Sequence, residues 1–256
     1  MAVVVRAGDN KKIGIFLVDT ATKSLKEIHR VDDEAWVKHV GDQLGFLSDN
    51  RLWFTSEKTG FNHLYVESEV GGDMKQRTTG RWLVEKVQVV EPKNRFYLTT
   101  TRKSPHERQL ESLNFDGENL EPVVSRPGWN GAWVTRDGRF VAIIHSTSTN
   151  PPELYLRELE ASANSLGEKL TDSPTPAFKA HKWHHPKISY FDASDGEKVP
   201  MRIYLPDVVE ENARAVVFVH GAGYLQNVIE GWSPYYREYM FHNFLREKGY
   251  IVADVD

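Results

Sequence analysis

The residues in this chain whose types and spacing best suit chemistry are His220-Gly221-Ala222-Gly223-Tyr224, which follow the apolar run Val216-Val217-Phe218-Val219. Small residues at the end of a strand let a substrate approach the backbone, so main-chain N–H groups can point at it. An acyl-transfer intermediate needs such donors for its oxyanion, and one well-aimed donor is worth about 2.7–4 kcal/mol of barrier. Gly221 and Ala222 are the candidate backbone donors. His220 completes the candidate oxyanion loop, and Tyr224 is a candidate wall of the substrate pocket. Without chemistry, the same residues read as a glycine turn that ends a strand, with Tyr224 as ordinary packing.

Other chemistries find little here. No Gly-x-Ser-x-Gly occurs; Gly231-Trp232-Ser233-Pro234-Tyr235 comes nearest and lacks the second glycine, so no member of a Ser-Asp-His triad is assigned. Asp254 and Asp256 end the next apolar run, where functional residues gather, but with no base partner in view they read as structural or solvated. The absence of cysteine excludes disulfides, Cys-ligated zinc and a thiol nucleophile. His181, His184 and His185 lack a carboxylate at helical spacing and read as a polar linker. His106-Glu107 opens like a zinc-protease helix without the second histidine. No metal and no cofactor are expected.

Around the loop, the elements follow from pattern. Lys187–Asp192 and Val199–Leu205, with a turn at Ala193-Ser194-Asp195-Gly196 between them, predict an antiparallel hairpin. Arg214–His220 is a continuous apolar run that suits a strand buried on both faces. Pro234–Lys248 predicts a helix, with Ser233 as N-cap and an apolar face of Tyr236, Met240, Phe244, Phe241 and Leu245. Gly249 stops it, and Tyr250–Val255 is the next strand. Strand, helix and strand at this spacing imply a right-handed crossover in a parallel sheet.

The first two-thirds repeat. Asp49-Asn50-Arg51, Lys93-Asn94-Arg95 and Asp137-Gly138-Arg139 place their arginines 44 residues apart in both steps. Each Asn or Gly tolerates the positive φ of a tight hairpin. Bulky strands follow at Leu52–Thr55, Phe96–Thr101 and Val141–His145, and Trp36, Trp82 and Trp129 stand near the unit starts. A repeat of this length with several short strands is the signature of a β-propeller blade. Residues 1–33 read as the end of an earlier blade, with Ile13–Asp19 a strand, giving about three and a half blades where closure needs roughly four to eight. The bland alternative is a long antiparallel meander. Residues 174–186 read as an inter-domain linker.

The formal net charge of −4 is spread along the chain, without a basic block for nucleic acid, and no apolar run is long enough to span a membrane. The N-terminus is not a signal peptide, and the compartment stays open.

This order of parts resembles the prolyl oligopeptidase family of serine peptidases, its dipeptidyl-peptidase IV-like branch above all. Gly60-Phe61-Asn62-His63-Leu64-Tyr65, Trp82 and residues 214–256 carry the likeness. It implies a partial β-propeller of four-stranded blades over residues 1–175, followed by the start of an α/β-hydrolase domain over 176–256 that stops before the nucleophile elbow. It further implies an exopeptidase for short peptides, cleaving often after proline or alanine, and a homodimer in the complete protein. The dipeptidyl branch has a tyrosine, whose hydroxyl donates to the oxyanion, where this chain has His220. Acyl-peptide hydrolases and lipases use His-Gly there with backbone donors, which favours the main chain of Gly221 and Ala222. Without a triad the chain alone is expected to be inactive, and poorly soluble or oligomeric. Two alternatives stay open: a non-catalytic propeller module that binds peptides, and an esterase or acyl-peptide hydrolase relative.

Overall fold

The computed structural model describes residues 1–37, 43–221 and 225–256. Two compact units emerge from the contacts: Met1–Lys103 with Gln109–Val124 and Trp133–Val141, and Ser104–Arg108 with Ser125–Ala132 and Ala142–Asp256.

Asn50, Asn94 and Gly138, the repeated turn residues, have φ of 68°, 52° and 67°. Each sits where a hairpin needs left-handed backbone, so the repeat in sequence is a repeat in conformation. The hairpins build four sheets in chain order. The first has three strands, β1 (Ala2–Arg6), β2 (Lys12–Asp19) and β3 (Ser24–Asp32). The second holds β4 (Leu44–Phe46), β5 (Leu52–Ser56), β6 (His63–Glu67) and β7 (Met74–Gln76). The third holds β8 (Val84–Val90), β9 (Arg95–Thr100), β10 (Gln109–Asn114) and β11 (Glu121–Val124). The fourth holds β12 (Trp129–Val134), β13 (Phe140–Ser146), β14 (Glu153–Glu158) and β15 (Glu168–Lys169). One three-stranded and three four-stranded sheets are the blades the repeat predicts.

In the first unit, apolar side chains fill the space between successive sheets. Trp53, Leu64 and Val66 of the second sheet pack with Phe96, Leu98 and Leu113 of the third. Trp53 meets the Phe96 ring edge-on at 6.0 Å. Burying a side chain of this size contributes about 1.5–3 kcal/mol. Two glutamines add directional ties. Gln43 accepts from Val87 N and donates to Glu85 O, both at 2.5 Å. Gln88 does the same with Val134, accepting from its N at 2.9 Å and donating to its O at 2.5 Å. A primary amide mimics a peptide group, so each glutamine extends backbone pairing to the next segment.

In the second unit, Thr175, the residue before the expected domain boundary, caps a short helix, α1 (Pro176–Ala180), by accepting from Phe178 N at 3.2 Å. A mixed sheet follows. Its strands are β16 (Lys187–Asp192), β17 (Lys198–Tyr204), β18 (Ala215–Val219) and β19 (Ile251–Val255), and its helix is α2 (Tyr236–Glu247). The order is β16-β17-β19-β18. Strands β18 and β19 pair in parallel, with Val216 opposite Val252, and α2 makes the crossover between them. Among the described residues there is no complete α/β-hydrolase domain, only this sheet and its crossover helix.

Three local expectations are corrected here. Strand β18 is not covered on both faces: it lies at the edge of the sheet, and Val217 and Val219 are each 65% exposed. The helix starts two residues later than Pro234, with Tyr235 as N-cap, while Ser233 Oγ accepts from Tyr235 N at 3.0 Å and from no helical N–H. Its buried residues are Tyr239, His242 and Asn243, whereas Phe241 and Phe244 stand exposed.

Candidate functional site

The carboxyl ends of parallel strands are where an open α/β sheet collects functional groups, because connecting loops gather there. His220 and Gly221 leave the end of β18, and Asp256 leaves the end of β19 beside it. Of the expected loop residues, Ala222 and Tyr224 lie outside the described residues. Gly221 has open space around it: a Cβ built there would meet nothing within 4 Å. Each ring nitrogen of His220 faces an oxygen, Nδ1 the Gly221 carbonyl at 2.8 Å and Nε2 the Asp256 Oδ1 at 3.2 Å. The imidazole also stacks on Tyr235, with centroids 6.0 Å apart. Asp256 Oδ1 accepts a second hydrogen bond, from Asn227 N at 2.6 Å.

Behind this pair lies a buried polar cluster. Arg202 on β17 donates to Asp254 Oδ2 on β19 through Nε at 3.1 Å and through its terminal nitrogen at 2.6 Å. Both side chains are 1% exposed. The same guanidinium donates to Asn227 Oδ1 at 3.1 Å, and Asn227 Nδ2 donates to Asp254 Oδ1 at 2.7 Å. Ser233 Oγ also donates to Asn227 Oδ1, at 2.9 Å. Burial pushes the Asp254 carboxyl up from its ordinary value, against the pull of Arg202 and the Asn227 amide. His242 on α2 has its Nδ1 3.8 Å from Asp254, and burial lowers its imidazole to about 4. Tyr239 is pushed up to about 12, again mainly by burial.

A segment preceding β10 ties down the stretch after Gly221. His106 Nδ1 donates to Val228 O at 2.7 Å, and its Nε2 meets the Tyr190 hydroxyl at 2.6 Å. Glu230 N donates to His106 O at 2.8 Å. Arg108 lies over the Trp129 ring at 4.1 Å and donates to Gln226 Oε1 at 3.0 Å. Gly231 packs so close that a Cβ would come within 2.5 Å of Trp129 Cβ. His106 is therefore a core histidine with both ring nitrogens engaged. His181, His184 and His185 also diverge: His181 faces Glu247 at 3.4 Å, His185 meets Ser148 and Glu230, and His184 N donates to Asn243 at 2.9 Å. No group of three or more metal-ligating side chains occurs among the described residues.

Pattern reading missed Asn227, whose side-chain partners are Arg202 on β17, Asp254 on β19 and the nearby Ser233. A signal for Arg202 and Asp254 was present. Opposite charges sit inside the otherwise apolar runs Val199–Leu205 and Ile251–Val255, and buried charges must pair.

A second feature is a cavity of about 1000 Å³ beside β13, β14 and α1, lined in part by Arg126, Lys182, Phe178 and Trp183.

Residues 2–152 match the family described as the dipeptidyl peptidase IV (DPP IV) N-terminal region. The chain is similar to a probable dipeptidyl peptidase 4 of Emericella nidulans, 27% identical over 218 residues that span 78% of this chain and 27% of that protein. A probable dipeptidyl peptidase 4 of Arthroderma benhamiae is 25% identical over 260 residues, 97% of this chain and 32% of that one. The chain thus spans about a third of the length of the curated relatives it matches. Among solved structures, the dipeptidyl peptidase 4 of Porphyromonas gingivalis has the same fold over 100% of this chain and 36% of its own, with a TM-score of 0.81 at 19% identity.

Proposed function

Since the chain belongs to the family of dipeptidyl peptidase IV N-terminal regions, we propose that it is part of a serine-type exopeptidase that removes short units from peptides, often after proline or alanine. In this reading it supplies propeller blades and the oxyanion loop, while the Ser-Asp-His triad lies outside residues 1–256. Short peptides are the proposed substrate and a homodimer the proposed assembly. Residues 1–175 serve as the propeller part and 176–256 as the start of the catalytic domain.

The observation that carries the oxyanion role is the placement of Gly221 in open space at the carboxyl end of a parallel strand. A carbonyl oxygen could reach its N–H there, and His220 is turned away onto Asp256 instead of standing as a free side-chain donor. The backbone thus takes the part that the tyrosine hydroxyl takes in the dipeptidyl branch.

The test compares turnover of a chromogenic Ala-Pro substrate by the 256-residue chain and by its complete reading frame. Turnover by the longer protein alone is expected. Gly221→Pro in that protein, which removes the N–H, is expected to lower kcat by about 10²–10³. Turnover by the short chain, blocked by a serine-directed phosphonate, would put a nucleophile inside these residues and overturn the reading. Silence from both would favour a peptide-binding module, for which the cavity bounded by Arg126, Lys182 and Trp183 offers a site with charge and aromatic walls.

A further inference from the structure

We propose that the cavity beside β13, β14 and α1 binds a carboxylate that carries an aromatic ring and an N–H group, the chemistry of a free aromatic residue at the C-terminal end of a short peptide. All of its walls belong to the second unit, and it uses no residue of the strand-end loop. Its volume of about 1000 Å³ is ample for such a ligand. The chain has a net charge of −4, yet this wall is cationic: Arg126, Lys169, Lys179 and Lys182 line it against Glu153 and Asp172. Both carboxylates are already engaged. Asp172 takes Lys169 at 3.1 Å and Lys179 at 2.5 Å. Glu153 accepts from Ser173 N at 2.7 Å, from the Ser173 hydroxyl at 2.8 Å and from the Thr171 hydroxyl. Among the described residues, the Arg126 guanidinium and the Lys182 ammonium have no hydrogen-bond or ion-pair partner, and both residues are exposed. They are the cations left for an anion, and the planar fork of an arginine matches a carboxylate through two N–H bonds.

His145, on the same wall and only 9% exposed, supplies an acceptor. The Asn130 amide donates through Nδ2 to Arg108 O at 2.7 Å and to Arg126 O at 2.8 Å, which turns its Oδ1 toward His145 Nδ1 at 2.9 Å. Burial, with Arg126 nearby, lowers the imidazole to about 4 and keeps it neutral at pH 7. Its single proton is therefore on Nδ1, donated to Asn130, and Nε2 keeps a lone pair with no partner among the described residues. A buried acceptor in this state calls for an N–H or O–H. The third element is flat and apolar. The Phe178 and Trp183 rings stack 4.8 Å apart, and His181 lies 4.2 Å from Trp183. Trp183 Nε1 donates to Phe178 O at 3.0 Å, so its one donor is spent and only apolar surface is left for a ligand. Free cations, one acceptor and an aromatic wall in a single cavity match a carboxylate, an N–H and a ring in a single molecule. A simple anion would use the cations alone.

The site does not depend on the peptidase reading, and its test needs no turnover. Isothermal titration of the complete protein with N-acetyl-phenylalanine is expected to give a Kd of about 0.1–1 mM, in keeping with a ligand of this size. Three analogues each remove one feature: N-acetyl-phenylalaninamide the charge, 3-phenylpropionate the amide N–H, and N-acetyl-alanine the ring. Loss of the charge is expected to weaken binding at least about tenfold, and loss of the N–H or of the ring at least about threefold. Arg126→Gln combined with Lys182→Gln changes two exposed side chains and is expected to bring the affinity for N-acetyl-phenylalanine down to that of its amide. No binding of N-acetyl-phenylalanine at about 10 mM overturns the proposal. An affinity unchanged in the double variant also overturns it, because the ligand then sits elsewhere. Equal binding of N-acetyl-alanine and N-acetyl-phenylalanine would reduce the cavity to a patch for any anion and overturn it as well.

Discussion

Between β5, β6 and β9 of the first unit, the buried volume is filled by Trp53, Leu64, Phe96 and Leu98. Between β17, β19 and α2 of the second, it is shared by Arg202, Asp254, Asn227 and His242 beside Tyr204 and Tyr239. The first arrangement is non-directional, so each blade tolerates change and can be repeated with different residues. The second is directional, because every polar atom needs a partner at a set distance. A repeated scaffold is served by the first kind of core. A strand-end site whose loops must sit in one place is served by the second.

The largest effect expected from breaking this contrast is at Arg202. Arg202→Met should cost about 3–5 kcal/mol, since it strands the Asp254 carboxyl at 1% exposure without its cation. Leu98→Ala should cost about 2–5 kcal/mol through a cavity in the blade core. The two losses differ in remedy. Adding Asp254→Asn to Arg202→Met removes the stranded charge and should recover part of the loss, while no polar exchange repairs Leu98→Ala. Urea unfolding followed by tryptophan fluorescence measures all of these. Equal stability of the single and the double variant would show that the buried pair is not coupled as drawn.

A smaller effect is read by pH in both units. Burial lowers His145 and His242 in the second unit, and His29 in the first, to about 4. A histidine with a depressed folded value contributes stability that is complete above its unfolded value near 6.5 and is lost as pH falls toward 4. After discounting for solvent screening, each should lose about 1 kcal/mol between pH 7 and 5. His242 lies against Arg202, which disfavours a second cation, so His242→Gln should flatten the slope of stability on pH. A slope unchanged in His242→Gln would mean that this ring is not the group responding.

The same contrast explains what could be read from the chain. Asn50, Asn94 and Gly138 were legible because a left-handed turn narrows the choice of residue at one position, and the 44-residue spacing repeats that choice. The β18–α2–β19 order was legible because a parallel pair requires a crossover. The buried side of α2 was not. Counting apolar residues selects Phe241 and Phe244, whereas the helix turns Tyr239, His242 and Asn243 inward, where polar groups from β19 and the linker wait. The edge place of β18 was not legible, because it depends on strand order, which local pattern does not carry. Of the site, His220 and Gly221 could be found as a motif, while Asn227 could be found only through partners up to 29 residues away.

The smallest expected effect tests whether the repeated turns are as local as this account requires. Asn94, at φ 52°, closes the turn before β9 by donating its N–H to Glu91 O at 2.9 Å. Asn94→Ala should cost about 1–2 kcal/mol, the penalty of placing a Cβ in left-handed backbone without the local bonding that favours asparagine there. Asn94→Gly should cost little. Because the penalty is conformational, it should not depend on pH or on the state of Arg202. Asn94→Ala and Arg202→Met should therefore add within about 0.5 kcal/mol when combined, as independent sites do. Measured non-additivity beyond that would tie the blade hairpins to the polar sheet and remove the separation between a scaffold specified turn by turn and a site specified by its buried network.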